Sequence, residues 1–135
     1  MENNKFLIDT HCLIWFQENN PKIPAQIMEK LQNLDNSIYF CQLSLFEIAI
    51  KQKIGKLPLF ESDVSIIHDQ AILDKFTFLP LQNAHLSNYT KIPLSPLHRD
   101  PFDRLLIATA HHENIPILSA DKNFNLYKDF IKVLW

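Results

Sequence analysis

Residues 5–12 read Lys5-Phe6-Leu7-Ile8-Asp9-Thr10-His11-Cys12, a short apolar run that stops at an acid. A bounded run of this length predicts a buried strand, with the acid at its end. The same association recurs three times. Glu47 lies inside Ser44-Leu45-Phe46-Glu47-Ile48-Ala49-Ile50, Asp103 precedes Arg104-Leu105-Leu106-Ile107-Ala108, and Asp121 follows Ile115-Pro116-Ile117-Leu118-Ser119-Ala120. Carboxylates that a fold brings together repel one another unless a cation lies between them. A hard divalent ion with oxygen ligands is the usual cation in that role.

Outward from residues 5–8, further strands are predicted at 37–41, 76–81, 115–120 and 131–135. Helices are predicted between them. One spans 10–17. A second opens with Pro24 at its first helical position and places Ile27, Met28, Leu31 and Leu34 at helical spacing. A third spans about 44–56, with Gly55, the single glycine of the chain, at its C-terminal end, where positive φ is often needed. Ser62 is expected to cap a helix running to about residue 75. A weaker helix covers 84–91, and Asp100-Pro101 opens a strong one to about residue 112. Strands alternating with helices imply an α/β protein: a three-layer α/β/α sandwich around a mostly parallel sheet of about five strands. Functional groups in such sheets gather at the carboxyl ends of the strands. Asp9 and Asp121 follow predicted strands, and Glu47 and Asp103 fall in the first turns of helices that can face the same edge.

The chain of 135 residues fits one domain, residues 1–135. Its net charge of −2 argues against attachment to nucleic acid through a large basic surface. A nucleic-acid enzyme stays open, because an acidic metal site lowers the charge of the free chain. Five of the thirteen basic residues fall in two stretches beside acids of interest, Lys51, Lys53 and Lys56 in one, Arg99 and Arg104 in the other. Cys12 and Cys41 form no metal-ligand or disulfide pattern and are expected to be buried thiols. No apolar stretch reaches the length of a signal peptide or a membrane span, so a soluble, cytoplasmic protein is expected.

Each acid also has a purely local role available to it. Ser44 and Glu47 match a capping box. Asp100-Pro101-Phe102-Asp103 is a good helix start, with Asp100 as N-cap. Asp9 and Asp121 can cap the turns that follow them. The adjacent pair His111 and His112 points in different directions on a helix and does not make a metal pair.

The four segments Phe6-Leu7-Ile8-Asp9-Thr10-His11, Ser44–Leu57, His98-Arg99-Asp100-Pro101-Phe102-Asp103-Arg104 and Ser119-Ala120-Asp121-Lys122-Asn123-Phe124 resemble, in order, the motif regions of PIN domains. More narrowly they resemble the VapC-type toxin ribonucleases of type II toxin–antitoxin pairs. The resemblance implies that Asp9, Glu47, Asp103 and Asp121 form an acidic catalytic site that binds Mg²⁺ or Mn²⁺. Asp9 and Asp103 would be the main ligands, and Thr10 and Ser119 the small hydroxyl residues beside it. It further implies a metal-dependent endoribonuclease acting on tRNA, rRNA or mRNA, a homodimer, and a small antitoxin partner lying near the Glu47 helix against Phe46, Ile50 and Ile54. His98, Arg99, Arg104 and Lys51 are candidate RNA contacts. Two other classes compete. One is a catalytically silent PIN-like module that binds RNA or protein. The other is a phosphatase with Asp9 as nucleophile, although His11 occupies the place where such enzymes carry a second Asp.

Overall fold

The computed structural model describes residues 4–98 and 100–135. Among them, strands β1 (Lys5–Ile8), β2 (Ser37–Cys41), β3 (Thr77–Leu79), β4 (Ile117–Leu118) and β5 (Val133–Leu134) form one sheet in the order β3-β2-β1-β4-β5. Every pairing is parallel. Parallel strands need crossovers, and helices supply them. These are α1 (Thr10–Gln17), α2 (Ala25–Gln32), α3 (Gln42–Lys53), α4 (Val64–Leu73), α5 (Asn83–Tyr89) and α6 (Pro101–Glu113). A 3-10 helix, Lys122–Tyr127, links β4 to the last segment.

Successive side chains of a strand point to opposite faces, and here both faces are covered. Phe6 and Ile8 join one buried cluster while Leu7 joins the other. Ile38 and Phe40 follow the first and Tyr39 packs against the second; Leu118 and Ile117 divide in the same way. The first cluster is closed by Leu13 and Ile14 of α1, Ile27 and Leu31 of α2, Ile48 of α3 and Ile67 of α4. The second is closed by Leu106 and Ile107 of α6 and by Phe124 and Tyr127 of the 3-10 helix. The result is the three-layer α/β/α sandwich expected from the sequence. Burial on both faces also explains why the strands read as continuous apolar runs.

The strand order fixes where a site can form. The chain runs β1, β2, β3 toward one edge, then returns to place β4 and β5 on the other side of β1. Connections therefore leave β1 and β4 in opposite directions and open a crevice beyond their carboxyl ends. Asp9 follows β1 directly, and Ser119 follows β4.

Several local expectations are corrected. Pro24 is the N-cap of α2, not its first helical residue, and α2 ends at Gln32, which leaves Leu34 79% exposed. Asp63, not Ser62, caps α4, accepting from Ser65 N at 3.0 Å. Helix α3 begins at Gln42 with Cys41 as N-cap, so Ser44 lies inside the helix and heads no capping box. Strands β3, β4 and β5 are shorter than the apolar runs that contain them. The residues beside them are buried by packing and not by ladder pairing. Phe76 and Ile115 are examples. Cys12 and Cys41 are buried free thiols, as expected. Burial pushes the Cys41 thiol up to about 12, which leaves it little thiolate character.

The end of α3 has a defined cause. Gly55 adopts φ +76°, its N–H donates to Gln52 O at 3.1 Å, and Lys56 N–H donates to Lys51 O at 2.8 Å. This pair of bonds satisfies the last carbonyls of the helix and needs a left-handed residue at that point. No atom lies within 4 Å of a Cβ added to Gly55. Gly55→Ala is therefore expected to cost about 1 kcal/mol through backbone strain alone, read as a lower urea midpoint at constant slope. An unchanged midpoint would refute this account of the helix end.

Candidate functional site

A cavity of about 120 Å³ opens beyond the carboxyl ends of β1 and β4. Asp9, Glu47, Asp103 and Asp121 all line it, together with Asp100, Thr10, His11, Ser44, Lys51 and Phe102. The four acids picked out in the sequence thus come from four separate elements and converge on one pocket. Asp100 adds a fifth carboxylate.

Asp9 is the most buried of them, at 6% exposure. It is also the N-cap of α1: its Oδ1 accepts from Cys12 N at 2.8 Å. Its Oδ2 accepts from the Ser119 hydroxyl, which in turn accepts from Asp121 N at 3.0 Å. Asp9 therefore ties the ends of two neighbouring strands together. Burial raises its carboxyl to about 6; the bonds from Ser119 and Cys12 oppose the rise, and the nearby charges of Asp103 and Glu47 add to it.

Glu47 reaches the pocket from the second turn of α3. Its Oε1 accepts from the Thr10 hydroxyl at 2.9 Å, and its Oε2 pairs with Lys51 Nζ at 2.9 Å, one helical turn on. Neither bond is a capping bond, so the capping-box reading of Glu47 falls. Thr10 also lies 3.1 Å from the buried Ser44 hydroxyl. The two hydroxyl residues flanking the site, Thr10 and Ser119, each hold a carboxylate of the pocket.

Asp103 occupies the first turn of α6, and Asp100 is the N-cap of that helix, accepting from Phe102 N at 2.8 Å and Asp103 N at 3.4 Å. Asp103 is released from capping and its Oδ2 accepts instead from His98 Nε2 at 3.0 Å. Burial raises its carboxyl to about 6 as well, opposed by the His98 bond and reinforced by the charges of Asp100, Asp121 and Glu47. Asp121 caps the 3-10 helix through Asn123 N at 2.9 Å.

Among the described residues, no three His, Cys, Asp or Glu side chains already form a closed ligand group. The carboxylates share a pocket without meeting at one point. Asp9, Glu47, Asp103 and Asp121 each have their own hydrogen-bond or ion-pair partner.

Among the described candidate RNA contacts, only Lys51 lines the pocket. His98 and Arg104 are buried, at 5% and 4% exposure, and Arg104 donates to His98 O at 2.8 Å and Tyr89 Oη at 3.3 Å. They are internal ties, not surface cations. Arg99 lies outside the described residues. His111 and His112 are exposed and serve different neighbours, His111 near Asn88 and Phe130, His112 near His85. Sequence reasoning missed the bond from His98 to Asp103. A histidine five residues ahead of an acid across a helix start carries no periodic signal. It also missed Tyr127, whose hydroxyl lies 2.9 Å from His98 Nδ1.

A parallel sheet with a carboxylate-lined pocket at its switch point defines an acidic-site α/β protein. The chain belongs to the PIN domain family, whose model matches residues 6–129. Solved structures share the fold. VapBC2 from Rickettsia felis, bound to a promoter DNA fragment, is 13% identical with a TM-score of 0.67, over 96% of this chain and 97% of that one. FitAcB from Neisseria gonorrhoeae is 19% identical with a TM-score of 0.66, over 96% of both chains. VapBC-5 from Mycobacterium tuberculosis, a member of the VapBC family of toxin-antitoxin systems, is 13% identical with a TM-score of 0.63, over 96% and 95%. Among curated protein sequences, none matches this chain.

The raised carboxyls have a consequence for stability. Asp9 and Asp103 bind their protons more tightly in the folded chain than in the unfolded one. Between about pH 4 and 6 the folded state therefore holds more protons, and their contribution to stability falls as pH rises through that window. In EDTA, Asp9→Asn should stabilise the protein by roughly 1–3 kcal/mol at neutral pH and flatten the fall in Tm between those limits. The amide keeps an acceptor for Cys12 N and a donor for Ser119. A Tm profile identical to that of the parent would show that Asp9 is not strained by its burial.

Proposed function

We propose that the protein is a divalent-metal-dependent endoribonuclease and the toxin of a type II toxin–antitoxin pair, built as one PIN-like domain. The observation that carries this reading is the convergence of Asp9, Glu47, Asp103 and Asp121 on one pocket, with two carboxyls raised to about 6 by burial.

The donor set suits Mg²⁺ or Mn²⁺. Its carboxylate and hydroxyl oxygens, which outnumber the single imidazole of His11 in the lining, are the ligands hard cations prefer. Because the carboxylates do not close on one point, the pocket suits an ion that keeps several of its own waters better than one needing an all-protein cage. Asp9 and Asp103 are the main ligands in this reading, with Glu47 and Asp121 holding metal-bound waters or a second ion. Bound there, the ion would acidify a water and stabilise charge developing on a phosphodiester.

The chain's own groups have defined tasks. Ser119 and Cys12 N orient Asp9, yet each of its oxygens keeps a lone pair for the pocket. Thr10 and Lys51 fix Glu47 at the rim, where it can accept the proton of an attacking water. Among the described residues of the pocket lining, Lys51 is the lysine or arginine that would meet an RNA phosphate.

Support for an antitoxin partner comes from α3 and its C-cap Ile54. Phe46 and Ile54 are 59% and 58% exposed and Ile50 is half-buried, so these residues are free of the core. The solved relatives whose fold the chain shares include VapBC complexes. No described helix is long and apolar enough to cross a membrane, in keeping with a cytoplasmic protein.

Asp9→Asn and Asp103→Asn should each lower Mn²⁺-dependent cleavage of RNA by roughly 10²–10⁴-fold, and EDTA should abolish it. Either variant cleaving at the parental rate would sink the assignment. Expression beside its neighbouring small gene should yield a co-purifying protein that relieves growth arrest. Harmless expression of the fully active protein alone would remove the toxin reading.

A further inference from the structure

His98 is a buried histidine with both ring nitrogens engaged. Nε2 lies 3.0 Å from Asp103 Oδ2 and Nδ1 lies 2.9 Å from Tyr127 Oη. The surroundings assign the protons. An ionised carboxylate only accepts, so Nε2 carries a hydrogen and, in the neutral ring, Nδ1 accepts from the Tyr127 hydroxyl. Arg104, a pure donor, holds the His98 carbonyl at 2.8 Å.

These residues come from three places: the loop before α6, α6 itself and the 3-10 helix. Tyr127 is 2% exposed, and Phe124 of the same 3-10 helix meets the His98 ring edge-on with centroids 6.4 Å apart. The ring is therefore held by packing as well as by hydrogen bonds. Asp103 Oδ1 takes no protein hydrogen bond among the described residues, whereas Oδ2 is committed to His98. An Asp side chain has two rotatable bonds, and one fixed oxygen removes most of that freedom.

We propose that His98, with its tautomer set by Tyr127, is a positioning residue that locks the Asp103 carboxylate and presents its free oxygen to the cation of the acidic pocket. This rests on the metal site proposed above. Outer partners of this kind typically change metal affinity by about 10–100-fold when removed.

The test is Mn²⁺ affinity, measured by calorimetry on folded protein without RNA, with Tm recorded for each variant. His98→Ala should bind Mn²⁺ roughly 10–100-fold more weakly. His98→Gln, whose amide N–H can take the place of Nε2–H, should recover most of that loss. Tyr127→Phe, which keeps the ring and removes the hydroxyl, should show a smaller loss in the same direction. The histidine ¹⁵N spectrum of the parent should show a protonated Nε2 and a bare Nδ1 for His98. A folded His98→Ala with parental Mn²⁺ affinity, or the opposite tautomer, overturns the proposal. Should His98→Ala fail to fold, Tyr127→Phe decides it: parental affinity and an unchanged His98 spectrum overturn it. A parent protein that binds no Mn²⁺ marks the separate failure of the metal reading and takes this proposal with it.

Discussion

Burying a carboxylate costs free energy unless hydrogen bonds or a cation compensate. Asp9 is where this protein bears that cost, at the end of its central strand. Two donors meet it, Cys12 N from the helix that follows β1 and the Ser119 hydroxyl from the end of β4. They offset part of the desolvation and leave the carboxyl raised. The rest of the pocket is arranged around this incomplete compensation. Glu47 has its own lysine and threonine, Asp103 its histidine, and Asp121 a backbone N–H. Each acid is steadied singly, and the group as a whole stays short of positive charge.

The same residues serve the fold and the pocket. Asp9 and Asp121 are helix caps that also line the cavity. A helix N-terminus favours negative charge, so placing acids there eases the crowding of carboxylates before any ion arrives. Asp100 takes over the cap of α6 and frees Asp103 for His98. The neighbours Asp100 and Asp103 thus divide two tasks that one acid could not perform together.

Much of this was legible in the chain. The continuous apolar runs around Leu7 and Ile117 call for burial on both faces, and their alternation with helical segments points to a sandwiched parallel sheet. The acids at the ends of those runs then fall at the carboxyl edge by geometry. The limits of the strands were not legible, because Phe76 and Ile115 are buried without joining the ladder. Nor was the start of α3, where Gln42 and Leu43 extend the helix past the serine that looked like a cap. The roles of His98 and Arg104 were misassigned for one reason: a charged side chain in a polar stretch reads as solvated. Only three-dimensional packing against Tyr127 and Tyr89 turns them inward.

The bond between Ser119 and Asp9 joins residues 110 positions apart. A chain made from its amino end has Asp9 and Glu47 in place long before Ser119 and Asp121 exist. Domains generally fold as units during synthesis, and pairings between distant residues form late because closing long loops is slow. No growing chain that stops short of β4 can carry the finished acidic pocket. The molecule therefore acquires this feature only after Ser119 and Asp121 have left the ribosome, and a copy that ends before them is left without it.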